Sequence, residues 1–229
     1  MSDMIKSICE NCGLKSSAAK KLSSRDLENL SNSCAEVNFK KGDIIFTQNA
    51  FSSNIIYLKE GLVKIHMAGP THEQIIRIKK APSYLGMPTT FGDKINQYSA
   101  TALEDTSVCF IDLDLFKNFI SKNGGFAYEI IIEICHNELN SCIKSVNRVQ
   151  KQINGRIADA LLFFHNDIYG SKEFKLPLSR LELGNFADAS RESVSRILTE
   201  FHNEKIIQIK GKTITILNNK LLETISRNG

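Results

Sequence analysis

The sequence predicts an α+β chain: an N-terminal antiparallel β-roll of jelly-roll type, one long helix, and a C-terminal pair of short helices followed by a hairpin. Three observations predict it. Short β-rich runs broken by glycine turns fill residues 37–110; a periodic segment free of proline, and of glycine until Gly155, follows from Phe126; and two capped helical segments lie within residues 179–202. At 229 residues the chain can bury a substantial core and is long enough for two domains. The expected divisions are 1–125 for the roll and its lead-in, 126–153 for the long helix and 154–229 for the C-terminal domain.

The first 35 residues read as a helical lead-in, with Leu27 and Leu30 following Ser23, Ser24 and Asp26 in a capping context. In the roll, turn signals fall at Lys41-Gly42-Asp43, Glu60-Gly61 and Gly69-Pro70, a spacing that suits a small antiparallel roll or barrel. Asp114 is expected to open a short helix carrying Leu115, Phe116, Phe119 and Ile120, which stops at Gly124-Gly125.

In the long segment, Ile132, Cys135, Leu139, Cys142, Val146, Val149 and Ile153 recur at steps of three and four, the seam along which two helices pack. Ala127, Ile130, Ile131 and Ile134 form a second apolar face, expected to dock on the roll. One helix with two apolar faces points to a symmetric homodimer; a seam buried within the monomer is the alternative. Lys144, Arg148 and Lys151 read as a solvated face.

Ser179 and Glu182 have the spacing of a capping box that starts a helix near Arg180. Leu183, Phe186 and Ala187 keep helical spacing, and small Ala187 suits a close helix crossing. Ser190 is a good N-cap for a second helix over residues 191–202, whose buried stripe is Val194, Ile197, Leu198 and Phe201. Arg191, Glu192 and Arg196 stay off that stripe. A guanidinium fork donates to guanine O6 and N7 and a carboxylate accepts from cytosine N4, so these three are the candidate base-reading residues for a G·C-containing half-site of double-stranded DNA. Ser190 and Ser193 are candidate phosphate contacts through the helix N-terminus. A solvated helix face is the plainer reading of the same spacing. Next, β-rich runs flank Lys210, Gly211 and Lys212, a tight basic hairpin able to rest on phosphates. Helix pair and hairpin together make a winged helix-turn-helix.

Net charge is +4, from 29 Lys plus Arg against 25 Asp plus Glu, only a mild argument for an anionic partner, so affinity for DNA has to come from placement and from doubling the domain. No apolar run reaches membrane-spanning length and no signal peptide is recognisable, so the chain is expected to be cytoplasmic, with no membrane partner. No nucleophile, base and orienting group share a useful spacing, and no glycine-rich dinucleotide loop follows a strand; a non-enzyme is expected.

The order roll, long helix, winged helix-turn-helix resembles the Crp/Fnr family of bacterial transcription regulators over essentially the whole chain. The likeness is strongest over residues 181–198, where the family's recognition pattern Arg-Glu-Ser/Thr-Val-x-Arg matches Arg191 to Arg196, and over residues 39–65, which resemble the opening of its cyclic-nucleotide-binding-like domain. That match implies base reading by Arg191, Glu192 and Arg196, with Ser193 and the region of Ser179 near phosphates, and Asp188 stands where many relatives carry a turn glycine. The resemblance implies a DNA-binding regulator, with RNA polymerase a further partner if it activates. It also implies an effector pocket around residues 83–103, where Gly86, Thr90, Ser99 and Thr101 are the candidates. The Glu and Arg that hold cyclic AMP's phosphate in the family are missing there, and a buried phosphate without a cation is costly, so cyclic AMP is not the expected effector.

Six cysteines stand at 9, 12, 34, 109, 135 and 142. Cys9 and Cys12 have C-x-x-C spacing, used for metals, iron–sulfur clusters and dithiol chemistry. By the resemblance, an iron–sulfur cluster would draw on Cys9, Cys12 and Cys109, with Cys34 standing in for a missing third N-terminal ligand if the lead-in folds back. A thiol switch between Cys9 and Cys12 and structurally incidental thiols are the other readings, and Cys135 and Cys142 read as small packing residues. No cofactor is assigned, and His66, His72 and His136 make no haem ligand set. The expected function is a homodimeric, sequence-specific DNA-binding regulator responsive to an effector or to redox state. The alternatives are an effector-free constitutive regulator, an iron–sulfur or thiol sensor, and a protein-interaction module that does not bind DNA.

Overall fold

A computed structural model describes residues 9–229; residues 1–8 of the expected lead-in lie outside the described ones. The chain splits into two compact units, one running to Leu139 and the other Asn140–Gly229 together with His72–Ile75.

In the first unit a 3-10 turn at Ala19–Lys21 precedes α1 (Ser24–Asn32), whose N-cap Ser23 accepts from the Asp26 N–H and whose Leu27 and Leu30 are buried. Eight strands follow: β1 (Cys34–Phe39), β2 (Ile44–Phe46), β3 (Asn54–Glu60), β4 (Leu62–Ala68), β5 (Glu73–Lys80), β6 (Ser83–Leu85), β7 (Ser99–Ala102) and β8 (Thr106–Asp112). They form two four-stranded sheets, ordered β1-β8-β3-β6 and β2-β7-β4-β5. The registered pairs are all antiparallel, Tyr57 standing opposite Cys109 and Val63 opposite Ala102.

Side-chain alternation along a strand explains the continuous apolar run of β3. Ile56 and Leu58 point into the roll beside Val108, Val63 and Leu85. Ile55 and Tyr57 point the other way, beside Cys109 and Ile111, onto a helical layer that includes Leu27, Leu30, Phe116 and Phe126. Gly61 turns β3 into β4 with φ +98°, and a Cβ there would run into Thr106 and the Asp105 carbonyl.

Two boundaries differ from expectation. The first strand begins at Cys34 rather than Val37, and the helix α3 (Leu113–Lys122) is capped by Asp112, whose carboxylate accepts from the Leu115 N–H, rather than by Asp114. A further short helix, α2 (Met87–Phe91), begins after Gly86, which is left-handed at φ 77°.

The long helix α4 is Gly124–Gln150. The long helix expected over 126–153 stops short of its last residues: Gln152 is extended and caps a separate helix, α5 (Ile153–Phe163). Ile153 therefore lies outside the α4 seam. Phe126 and Ile130 are the buried residues of α4, while Ile131 and Ile134, expected to dock, are exposed; the docking stripe is narrower because Phe126 fills the space against Phe116 and Phe119.

The second unit continues with a π-helical turn at Phe164–Tyr169, then β9 (Glu173–Lys175), α6 (Arg180–Ala187), α7 (Arg191–Asn203), β10 (Ile207–Lys210), β11 (Thr213–Ile216) and α8 (Asn219–Asn228). The strands make a sheet ordered β10-β11-β9; the third strand was not read in the sequence because only Phe174 of its three residues is buried. No helix among the described residues is long and apolar enough to cross a membrane.

Candidate nucleic-acid interface

The helix pair is built by its caps. Ser179 accepts from the Glu182 N–H and Glu182 accepts from the Ser179 N–H at 2.8 Å, the reciprocal box the sequence predicts. Asp188 ends α6 in the left-handed region (φ 54°, ψ 50°), the conformation a glycine adopts without cost. The Ala189 N–H bonds back to Gly184 at 3.0 Å, and a Cβ on Gly184 would collide with the Ala189 carbonyl. The closest approach thus falls at Gly184, not at Ala187, although Ala187 is buried as well.

Ser190 caps α7 by accepting from the Ser193 N–H at 3.1 Å. Val194, Ile197, Leu198 and Phe201 are buried, a wedge that fixes the rotation of the helix. Rotation then decides what faces out: Arg191, Glu192 and Arg196 are exposed, and Ser195 and Thr199 share that face. The sequence reading missed the last two, although steps of three from Glu192 and from Arg196 place them there.

Arg196 donates to Glu200 at 2.7 Å on the outer surface. The Glu192 carboxyl is held below the ordinary glutamate range by its own backbone N–H, then by the Ser190 hydroxyl. It is an acceptor at neutral pH, but in this state it accepts from its own helix N-terminus. The N–H groups expected to meet phosphate at residues 190–193 are therefore partly engaged by Ser190 and Glu192. Lys210 and Lys212 are exposed on either side of Gly211, which is left-handed at φ 62°. His202 accepts from the Ile209 N–H at 3.3 Å, tying α7 to the hairpin.

Along α4 the seam residues Leu139, Val146 and Val149 are 61%, 52% and 85% exposed, Cys135 and Cys142 are exposed, and Ile132 is half-buried. Tyr128 and Ile131 extend this stripe upward. The three cations read as a solvated face are engaged instead: Lys144 Nζ sits 4.1 Å over the Phe186 ring, Arg148 pairs with Asp188 at 2.6 Å and Lys151 with Asp159 at 2.7 Å.

In the roll, Gly86 lines a cavity of about 190 Å³ with Arg77, Lys79, Tyr98, Ile134 and Asn137 among its other walls. The other expected pocket residues do not line it. Thr90 bonds Ser52 at 2.6 Å, Ser99 accepts from the Gln48 N–H and Thr101 bonds His66 at 2.8 Å. The cavity takes its cations from β5, where Arg77 and Lys79 share one face by strand alternation. Asn137 accepts from both, at 3.1 and 2.6 Å. Burial works against the charge of each and lowers both pKa values.

Cys9, Cys12, Cys34 and Cys109 line a second, smaller space of about 40 Å³ beside Tyr57 and Lys59. The sulfurs of Cys9 and Cys34 are 3.9 Å apart, so the lead-in does fold back. Four thiols are a suitable donor set for zinc or an iron–sulfur cluster. Among the described residues no three His, Cys, Asp or Glu side chains are grouped as metal ligands.

Comparison with known proteins agrees with this geometry. Residues 155–225 match the family model of the Crp-like helix-turn-helix domain and residues 36–123 that of the cyclic nucleotide-binding domain. The chain is similar to the fumarate and nitrate reduction regulatory protein of Vibrio cholerae, with 25% identity covering 78% of this chain and 73% of that one. It is similar also to the anaerobic regulatory protein of Aggregatibacter actinomycetemcomitans, 23% identical over 96% and 88% of the two chains. Among solved structures, FixK2 of Bradyrhizobium japonicum shares the fold with TM-score 0.76 at 18% identity, over 84% of this chain and 96% of that one.

Proposed function

The chain belongs to the Crp/Fnr family of DNA-binding transcription regulators, and from that premise we propose that it acts as a homodimer reading a two-fold-related operator with Arg191, Glu192 and Arg196. The observation that carries this reading is the buried wedge of α7, which leaves those three side chains outward at the start of a capped helix. The exposed apolar stripe of α4 supports pairing, since an apolar row of that length in water is a partner-binding surface. Each α7 would enter one of two successive major grooves about one helical turn apart, with Lys210 and Lys212 on the flanking phosphates. Nothing in this role requires catalysis. Sedimentation of the protein with a bound duplex tests it: two chains per duplex are expected, and one chain per duplex would contradict it.

The signal in this reading is a small anion taken into the roll's cavity. Arg77 and Lys79 favour negative charge, while the segment after Gly86 lacks the Glu and Arg by which relatives hold cyclic AMP. Calorimetry with cyclic AMP is expected to show no binding; saturable binding would overturn the exclusion.

A second reading, thiol-based redox sensing, is favoured by the gathering of Cys9, Cys12, Cys34 and Cys109 around one space. The relative named as an anaerobic regulatory protein points the same way. The nearest pair is Cys9 and Cys34, not the C-x-x-C pair expected for a switch. Metal and sulfide analysis with an absorption spectrum on anaerobically purified protein, followed by thiol counting after peroxide, separates the possibilities. Loss of two thiols from Cys9 and Cys34 without bound metal supports the switch; bound iron and sulfide would replace it with a cluster.

A further inference from the structure

We infer that Arg156 is a positioning residue that locks the recognition helix to the pairing helix through the turn between α6 and α7. The turn leaves carbonyls at the end of α6 without helical partners, as every helix end does. Here they meet neither a glycine-type cap alone nor bulk solvent. Arg156, on α5, donates from Nε to the Ala187 carbonyl at 2.9 Å and from Nη2 to the Asp188 carbonyl at 2.8 Å. Its third arm, Nη1, donates to the Lys151 carbonyl at 2.6 Å, at the break between α4 and α5. One planar guanidinium therefore bridges the recognition turn and the joint below the pairing stripe. A lysine, with a point charge and no fork, cannot hold all three acceptors in one plane.

The joint itself is braced. Lys151 Nζ donates to both carboxylate oxygens of Asp159, which also accepts from the Ser226 hydroxyl of α8. A second strut runs from the last turns of α4 to the turn: Arg148 Nε donates to the Asp188 carboxylate at 2.6 Å. Asp188 thus supplies both the left-handed turn and an anion that glycine at this position would lack. Val146 and Val149, on the pairing stripe, flank Arg148 on the same stretch of α4. A displacement of that stretch must carry the turn, and with it the N-terminus of α7, rather than be absorbed by a loose linker.

The inference rests on the dimeric reading above. If it holds, the two struts set how rigidly the reading heads are spaced, not which bases they read. The test uses full-length protein and the duplex that the wild type recovers from a random double-stranded pool, together with the same duplex carrying one base pair more or fewer between half-sites. For Arg156→Lys, unchanged half-site preference and an unchanged dimer are expected, while the penalty for altered spacing falls by about tenfold, the scale of one charge-assisted bond.

Arg148→Ala removes one exposed strut and Asp188→Asn strips its anionic charge; each is expected to lower the spacing penalty, and the double variant no further than Arg148→Ala alone. They carry the test should Arg156→Lys fail to fold. An unchanged spacing penalty in all folded variants overturns the inference, as does a changed half-site sequence, which would make Arg156 part of base reading. Recovery of only single, unpaired sites by the wild type removes the dimeric premise itself and is seen before any variant is made.

Discussion

Arg196 donates from Nη1 to Oε1 of Glu200, 2.7 Å away and one turn further along α7, with both side chains in solvent. An exposed pair at this spacing contributes about 0–1 kcal/mol, so it aims the guanidinium without committing it. Arg196→Ala is expected to remove about 1–3 kcal/mol of discrimination between cognate and substituted half-sites. Glu200→Ala should change that discrimination far less. Competition binding with single-base operator variants measures both; equal selectivity in Arg196→Ala and wild type would take Arg196 out of the reading role.

The α4 stripe yields a second expectation. Leu139 is exposed in the single chain, and in a two-fold interface each substitution acts twice. Burying a Leu side chain is worth about 1.5–3 kcal/mol, so Leu139→Glu should raise the dimer dissociation constant about 100-fold or more. Sedimentation equilibrium reads this directly, and an unshifted constant would mean that the stripe pairs with something else.

At Gly184 the obstacle to a side chain is the Ala189 carbonyl, a backbone atom of the turn itself. Gly184→Ala is therefore expected to destabilise the C-terminal unit by about 1–3 kcal/mol, as overpacking does. Urea unfolding followed by circular dichroism checks it; an unmoved midpoint would show that the turn yields easily.

Glu133, on α4, accepts from the Tyr84 N–H at 2.9 Å, and burial raises its carboxyl above the ordinary value of 4.5, with that hydrogen bond and then Lys79 opposing. A raised carboxyl binds its proton more tightly in the folded state. Its contribution is complete below 4.5 and is lost as pH rises through the folded value. Glu133→Gln should therefore lose less stability than the wild type as pH rises through this window. Thermal unfolding of the two proteins at matched pH values would contradict this if their midpoints fell in parallel.

Much of this was legible in the residues because the signals were local. Ser179 with Glu182, Ser190 before Arg191, and the Val194, Ile197, Leu198, Phe201 stripe are each read within one or two helical turns, and each stands as expected. The misreadings involve contacts that bring distant residues together. Periodicity cannot see that Gln152 leaves the helix, because Ile153 continues the spacing of three and four across the break. Lys144, Arg148 and Lys151 look like a solvated face until the fold sets Phe186, Asp188 and Asp159 beside them. The cavity cations were missed for the same reason: Arg77 and Lys79 lie on β5, outside the segment where a phosphate site was sought.

The most direct test of the central claim is to sequence the duplexes that purified wild-type protein enriches from a random double-stranded pool. The account predicts a two-fold-related motif with a G·C pair in each half-site and centres about one helical turn apart. Arg191→Ala and Arg196→Ala should lose the preference at those pairs. Enrichment of no sequence, or of a motif that both substitutions leave intact, would contradict it.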